Sequence, residues 1–295
     1  MAISHDSTTA LQINTASFSH TCTGSNLTLV VPIWIFDGSA DITVTDITYN
    51  SVSLTQRRAR VETFGGRYWR VEIWTLDSPA TGSNTVAVTL SGTPSGYAVG
   101  AISYTGANNG VGTTGDNSSN DNNPSTTHTS TTSNGLNIMA AVMRGGDSDP
   151  FAPDGSETER YDGATGTNTN TDIGMTLIEL ASTGGSDTLS TTASVSDLWV
   201  SVMIELLAAS SGVSIACNVG TLTLTGQQAA VAPGAVSVDA SVGNLALAGQ
   251  QAAIVPGAVG IALNTGTLAL AGQQAAIVPG AVGIALNTGT LALAG

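Results

Sequence analysis

The feature that most limits how this chain can fold is a short repeat in its last part. The 23 residues Gly249–Ala271 recur unchanged as Gly272–Ala294, and a related copy covers Gln227–Gly249 after an incomplete one at Val213–Gly226. A unit this short cannot bury a core alone, so each copy must pack on its neighbours or on the same segment of another chain. The sequence therefore predicts an extended module that depends on association.

Apolar residues alternate within each repeat unit, as at Val259, Ile261 and Leu263 and again at Leu268 and Leu270. Period two indicates strands, and the Gly, Asn and Pro residues between the runs indicate turns. We expect three strands of about four to six residues per unit. Two arrangements fit, a β-solenoid within one chain and a shaft of intertwined chains. Because a short solenoid leaves open strand edges, we favour a homo-oligomer, with three chains in the shaft.

The part of the chain before the repeats has the pattern of an antiparallel β-sandwich. Short apolar or alternating runs are separated by turn residues such as Gly65–Gly66 and Gly184–Gly185, which predicts an all-β fold resembling a jelly roll. We divide the chain into an N-terminal arm (1–10), one sandwich (11–207), a linker (208–212) and the repeats (213–295). The strands predicted for the sandwich cover residues 27–36, 42–49, 51–55, 68–76, 84–90, 98–104, 135–143, 172–180, 187–192 and 198–207.

The charge balance limits the partners of this protein. The formal net charge is −14, and all seven basic residues are arginines. Contact with phosphates needs a basic face, so we exclude binding to nucleic acid and to anionic membranes. The apolar runs are too short for a membrane-spanning helix, so no membrane insertion is expected. The expected partners are other copies of the chain, other proteins or surface glycans.

A cluster of basic residues stands out in this acidic chain. It lies on both sides of Gly65–Gly66, where alternation would place two of its members, Arg58 and Arg60, on one face of a hairpin. Guanidinium groups bind carboxylates through two parallel hydrogen bonds, which favours docking onto an acidic neighbour. Pairing with Glu62 and Glu72 on solvated faces of the same domain is the alternative. The five arginines of the cluster are Arg57, Arg58, Arg60, Arg67 and Arg70.

The aromatic residues suggest a second use for the same hairpin. Trp69 follows Tyr68 and is flanked by arginines, so we expect it to be exposed, where it could stack on a sugar ring. The other three tryptophans lie inside apolar strands and are expected to be core residues. They are Trp34, Trp74 and Trp199.

Residues 145–163 form an acidic segment whose Asp147, Asp149 and Asp154 are the candidate metal ligands, with Ca²⁺ as the ion that oxygen-rich loops bind. Their spacing differs from that of a calcium-binding EF-hand loop, and two prolines interrupt the segment, which favours a solvated loop. No other cofactor is expected. The polar tract 108–134 is predicted to be a surface loop or an extended edge.

No catalytic constellation is visible in the sequence. His5, His20 and His128 are each isolated in polar sequence, without carboxylate or cysteine ligands at metal spacing and without a nucleophile motif. Cys22 and Cys217 do not make a disulfide framework. Cys217 is offset by 23 residues from an alanine in the next unit, so we expect a buried thiol. We therefore expect a protein that is not an enzyme.

The order of the strand segments, from GSNLTLVVPIWIF through WRVEIWTL and AVGAISY to LWVSVMIEL, resembles a β-sandwich module of phage virion proteins and bacterial extracellular proteins. The repeat pattern LxLxGQQAxxxPGAVxV is similar to short β repeats in virion proteins of marine phages. This resemblance implies a structural protein, such as a fibre, a spike or a capsid decoration protein, that contacts other virion proteins. It transfers no catalytic residue.

The first twenty residues lack the basic and apolar regions of a secretory signal. This favours a virion assembled in the host cytoplasm over the extracellular surface as the location. The alternative function is a glycan-binding adhesin, in which the sandwich recognises carbohydrate and the repeats act as a spacer.

Overall fold

The computed structural model describes residues 2–107 and 110–209 in full. Beyond them it describes the backbone of residues 214–231, 236–254, 259–263, 267–271, 274–277, 282–286 and 290–294. The chain divides into two compact units, Met1–Ala209 and Ser210–Gly295. In the described residues every regular element is a strand except one 3-10 turn at Gly146–Ser148, which confirms the all-β prediction. None of these residues belongs to a helix that could cross a membrane.

The described residues of the first unit form seventeen strands. They are β1 (Ser4–Ile13), β2 (Ser17–Cys22), β3 (Thr28–Asp37), β4 (Val44–Tyr49), β5 (Val52–Ser53), β6 (Thr55–Phe64), β7 (Arg67–Asp77), β8 (Gly82–Leu90), β9 (Gly96–Thr105), β10 (Val111–Asp121), β11 (Ser125–Thr129), β12 (Leu136–Arg144), β13 (Phe151–Pro153), β14 (Thr158–Ala164), β15 (Ile173–Ala181), β16 (Ser186–Ala193) and β17 (Asp197–Leu206).

These strands form two sandwiches, and the prediction of one sandwich over 11–207 is wrong in this respect. The first sandwich, residues 4–105, has a large sheet in the order β1-β9-β3-β7-β6 and a small sheet in the order β2-β8-β4-β5. The second sandwich, residues 111–206, has a large sheet β10-β17-β12-β15-β14 and a small sheet β11-β16-β13. Alternation predicts strands but does not say which strands share a sheet, so one and two sandwiches look alike in sequence.

The largest apolar core lies between the two large sheets, where Trp34 and Trp69 of the first sandwich meet Tyr161 and Leu177 of the second. A second core fills the space between the two sheets of the first sandwich, and a smaller one fills the second sandwich. The large sheets are therefore covered on both faces. This explains why β3 is apolar along nearly its whole length and buried at every residue.

The ten predicted strands all overlap observed ones, and of the two alternatives for the polar tract 108–134, a surface loop or an extended edge, the structure shows the extended edge. Residues 4–13, mostly assigned to an N-terminal arm, form β1 at the edge of the first large sheet. The polar tract 108–134 contains β10, an edge strand of the second large sheet, and β11. These segments bury few apolar side chains and are held by backbone pairing with β9, β17 and β16, so alternation does not reveal them.

The described strands of the second unit form one parallel sheet. Each residue pairs with the residue 23 positions later, as Leu245 does with Leu268 and Leu268 with Leu291. No closed barrel or solenoid is seen in these strands, and the predicted solenoid or interchain shaft stays a prediction. The strands are β18 (Ser214–Val231), β19 (Val236–Ile254), β20 (Val259–Leu263), β21 (Thr267–Ala271), β22 (Gln274–Ile277), β23 (Val282–Leu286) and β24 (Thr290–Ala294).

Candidate interaction site

The arginine cluster lies on the β6–β7 hairpin, as the sequence predicts. Gly65 and Gly66 form its turn with φ of 59° and 75°, a left-handed conformation that glycine adopts without strain. The turn sets the register, with Phe64 opposite Arg67 and Glu62 opposite Trp69. Because successive side chains of a strand lie on opposite faces, one face of the hairpin packs against the second large sheet and the other face lies on the side away from it.

Arg58 and Arg60 share the face that looks toward the second sandwich, which confirms the predicted alternation. Both pair with Asp116 of β10. Arg60 Nη2 also donates to Glu62 Oε1 at 2.7 Å and to Ser118 Oγ at 2.6 Å. Hydrogen bonds from Arg60 and Ser118 lower the pKa of Glu62. The result is a polar seam that joins the edge of the first large sheet to the edge of the second.

Arg70 lies on the opposite face, where it binds two carboxylates. Its Nε and Nη2 atoms donate to Asp41 at 2.8 and 2.7 Å, and Nη1 donates to Glu72 Oε1 at 3.0 Å. Glu72 is fully buried, and its Oε2 accepts hydrogen bonds from Gln56 and Trp74, each at 2.7 Å. Burial lowers the pKa of Arg70, but the two carboxylates raise it more. Arg70 thus neutralises a buried charge.

The other two arginines of the cluster also have partners within the chain. Arg57 donates to Thr75 Oγ1 at 2.7 Å and lies 3.5 Å from Asp77. Arg67 donates to the backbone oxygen of Asn170 at 2.8 Å. The pairing expected with Glu62 and Glu72 is therefore found, although Glu72 is buried rather than on a solvated face. The acidic neighbour of the cluster is another part of the same chain. Docking of the cluster onto a separate molecule stays a prediction.

The expectation that Trp69 is exposed is wrong. Its side chain is 1% exposed and packs against Phe36 in the core between the large sheets. The flanking arginines misled the prediction, because in a strand Trp69 shares a face with Val71 and Ile73 rather than with its sequence neighbours. Tyr68 is half-buried. The burial predicted for Trp34, Trp74 and Trp199 is confirmed.

The acidic segment does not assemble the three predicted metal ligands. Asp147 is exposed in the 3-10 turn, and Asp154 accepts hydrogen bonds from Asn123 and Thr192. Among the described residues there is no group of three His, Cys, Asp or Glu side chains that could hold a metal ion.

Asp149 instead lies beside two other carboxylates, Glu159 and Asp162. Burial, a hydrogen bond with Asp162 and the charge of Asp162 raise the pKa of Asp149 to about 6. Burial and the two aspartates raise the pKa of Glu159 to about 7. A raised carboxyl pKa makes the folded state bind the extra proton, so this cluster lowers stability as the pH rises toward 7.

Two of the three histidines are buried in hydrogen-bond networks inside the sandwiches. His20 contacts Thr9 Oγ1 through Nδ1 at 2.8 Å and Ser103 Oγ through Nε2 at 3.1 Å, and Ser103 donates to Asp6 at 2.6 Å. His128 Nε2 contacts Asn137 Oδ1 at 2.8 Å. Burial lowers the pKa of His20 to about 4, although the charge of Asp6 opposes this effect.

Replacing His20 by Gln is expected to remove an acid sensitivity of the fold. The unfolded chain binds a proton near the ordinary histidine pKa of about 6.5, whereas folded His20 does so near 4, so the stability contributed at neutral pH is lost as the pH falls between these values. The loss approaches about 3 kcal/mol. Urea unfolding of both proteins from pH 8 to pH 4 measures it, and parallel stability curves would contradict the assignment.

The sequence predicts burial for Cys217 but makes no such prediction for Cys22. Cys22 is a free thiol in the core of the first sandwich, and burial raises its pKa. The backbone of Cys217 pairs with Ala240, in agreement with the 23-residue offset. The predicted burial of the Cys217 thiol lies outside the described side chains.

Three residues that hold the two sandwiches together were not singled out from the sequence. Asp116 and Ser118 lie in the polar tract, where neither spacing nor alternation marks them. Tyr161 of β14 crosses to the first large sheet, where its hydroxyl accepts from the Ala101 amide at 2.8 Å and donates to Thr9 O at 2.8 Å. Nothing in their neighbouring residues predicts these contacts.

Comparison of the chain with protein families, with curated proteins and with solved structures finds no match.

Proposed function

We propose that this protein is a non-enzymatic structural component of a phage-like virion, a fibre, spike or capsid decoration protein that works by self-association and docking. The observation that carries the proposal is the 23-residue register of the second unit. Parallel pairing sets Val259, Ile261 and Leu263 opposite the identical residues of the next unit. A stack of this kind can add further equivalent strands without changing its pairing.

The charge distribution supports association through the same unit. Asp239 is the single charged residue between positions 210 and 295. Proteins that must stay monomeric usually protect open strand edges with charged side chains, above all lysine, and this unit has almost none. Further equivalent strands would cover such edges, so the proposed partners are other copies of the chain, three in the favoured shaft, and other virion proteins.

The described residues of the first unit support a structural role rather than a chemical one. The arginines pair with carboxylates or backbone oxygens, and His20 and His128 connect strands inside the two sandwiches. The adhesin alternative named Trp69 as its sugar platform, and Trp69 is buried. The adhesin alternative therefore lacks the exposed aromatic platform on which it was based.

A pair of substitutions in β21 tests the proposed association. Leu268→Asp places a charge on the apolar side of the strand and is expected to reduce the oligomer to monomers. Thr267→Asp adds the same charge on the opposite side of the strand and is expected to leave the mass of the assembly unchanged. Light scattering after gel filtration measures both masses. Equal effects of the two substitutions would contradict the assignment of the apolar face.

The location is tested separately by mass spectrometry of purified particles from a lysate of the producing cells. The proposal expects this chain among the virion proteins. Its restriction to the soluble fraction of the lysate would contradict the virion assignment and would leave self-association to be judged by the substitutions in β21.

A further inference from the structure

The two sandwiches have the same topology. Each strand of the first large sheet has a counterpart at the same position of the second. The order β1-β9-β3-β7-β6 corresponds to the order β10-β17-β12-β15-β14. The same correspondence converts β2-β8-β4 into β11-β16-β13. Only β5, a strand of two residues, lacks a counterpart among the described strands. Eight strands therefore recur in the same sequence order and in the same positions.

The registers of the two large sheets also correspond. Thr28 of β3 lies opposite Tyr104 and Asp77, and Leu136 of β12 lies opposite Leu206 and Ala181. If Thr28 is aligned with Leu136, the residues four positions later, Pro32 of β3 and Ala140 of β12, are also aligned, each at the centre of its sheet. One row of paired residues across the first large sheet then matches one row across the second. The rows are Pro32, Ile73 and Arg58, and Ala140, Leu177 and Tyr161.

An irregularity of the edge strand recurs at the same place. The pairing of β6 with β7 shifts by one residue between Gln56 and Arg58, and that of β14 with β15 shifts between Glu159 and Tyr161. The extra residue is an arginine in both strands. Arg57 binds the side chain of Thr75 and Arg160 binds that of Glu179. Thr75 and Glu179 are equivalent positions. Thr75 lies opposite Val30, two residues before Pro32, and Glu179 lies opposite Ile138, two residues before Ala140.

The first strands of the two small sheets, β2 and β11, lie at equivalent edges and keep a short sequence in common. β2 begins with Ser17 and has His20 and Thr21, and β11 has Ser125, His128 and Thr129 at the same spacing. Both histidines are buried inside their sandwich. A buried histidine is an uncommon choice for a strand that could hold any apolar residue, so its presence at equivalent positions is a further sign of a common origin.

The contacts between the large sheets are arranged like those of a symmetric dimer. Arg58 of the first sandwich reaches Asp116, which lies opposite Val202 in the second large sheet. Its counterpart Tyr161 reaches Gly100, which occupies the position of Val202 in the first large sheet and has no side chain to block the phenol ring. Each edge strand thus crosses to the same place on the other sheet, as in an isologous interface.

We propose that residues 4–206 are two copies of one β-sandwich joined in tandem, and that the outer face of each large sheet is a docking surface for a second sandwich of the same kind. The face is largely apolar and includes Trp34, Trp69 and Phe36 in the first copy. A sheet face of this composition needs a partner, and the chain supplies that partner itself.

Charges on this docking surface select the other copy over an identical one. In the present pairing Arg58 and Arg60 meet Asp116. If two first sandwiches met through the same face, the arginines would meet the segment of β1 opposite Gly100, where Ala10 and Leu11 stand between Thr9 and Gln12. The guanidinium groups would then lack a carboxylate, so the first sandwich binds the second in preference to itself.

The test uses the full-length chain with a protease recognition sequence inserted between Ala107 and Gly110. A matched control carries the same insertion between Gly92 and Ser95, the turn that joins β8 of the small sheet to β9 of the large sheet. Both proteins are folded first and then cleaved under native conditions. Gel filtration measures whether the N-terminal piece remains bound, and circular dichroism measures whether each fraction keeps its β structure.

After cleavage between the sandwiches, the N-terminal piece is expected to remain bound and folded. Arg58→Glu with Arg60→Glu is expected to weaken binding about tenfold or more, so that the piece dissociates on dilution with its β signal intact. Adding Asp116→Arg is expected to restore binding. In the control, the N-terminal piece is expected to separate only with loss of β structure, because that cut leaves the first sandwich without β9.

Three results would overturn the proposal. The first is loss of β structure whenever the piece produced by the cut between Ala107 and Gly110 dissociates. The second is release of a folded piece from the control cut. The third is dissociation that does not respond to reversal of the charges at positions 58, 60 and 116. None of these results depends on the virion proposal, because the second unit is present and unchanged throughout.

Discussion

Gly100→Ala is expected to destabilise the first unit by about 3 kcal/mol, because a methyl group at this position would overlap the ring of Tyr161. A Cβ atom built on Gly100 lies 2.6 Å from Cζ and 2.9 Å from the hydroxyl oxygen of that ring. The ring cannot move aside easily. It packs edge-on against Trp34 with 5.9 Å between centroids, and its hydroxyl is bonded to the backbone of Ala101 and Thr9.

Three further variants separate this effect from an ordinary change of a glycine in a strand. Gly96→Ala in the same strand meets its nearest neighbour at 4.0 Å and is expected to have little effect. In the Tyr161→Ala background the overlap is gone, so adding Gly100→Ala should cost much less than it does in the unmodified chain. Urea denaturation measures the stability of the unmodified chain and of the four variants. Additive effects of the two substitutions would contradict the interlocking of β9 with β14.

Arg70→Leu is expected to cost about 3 kcal/mol or more, because it leaves the buried carboxylate of Glu72 without its cation. Glu72 keeps the hydrogen bonds from Gln56 and Trp74, but these donors are neutral. Asp41 also loses both of its bonds to the guanidinium group. Thermal or urea unfolding at pH 7 measures the loss.

A second substitution in the same background identifies the cause. Glu72→Gln removes the buried charge and is expected to recover part of the stability lost in Arg70→Leu. Arg57→Leu is the matched control, since Arg57 pairs with Asp77 at a partly exposed site and should cost less than about 1 kcal/mol. Equal losses for the two arginine variants would contradict the role assigned to Arg70.

The strands of the fold were predictable where they bury apolar side chains and were not predictable where they do not. β3, β9, β12 and β17 lie at the centre of the sheets and are apolar on both faces, which their sequences show directly. β1 and β10 are edge strands of polar residues whose stability comes from backbone pairing. Nothing local in their sequences distinguishes them from loops.

The candidate site shows the same division between local and distant information. Alternation on the hairpin placed Arg58 and Arg60 on one face, because strand geometry fixes which residues share a side. It could not identify Asp116 as their partner, since that residue comes from another sandwich. Trp69 was misjudged because its sequence neighbours are polar, although its own side of the strand is apolar. Whether a strand face is covered depends on the packing of sheets, which the local pattern does not contain.

The most direct test of the proposed function is the mass of the full-length protein in solution compared with that of a version ending at Ala209. If the repeats form an interchain shaft, the full-length protein is an oligomer, with a trimer favoured, and the shortened version is a monomer made of the two sandwiches. A monomeric full-length protein over the same concentration range would contradict association through the repeats and with it the central claim.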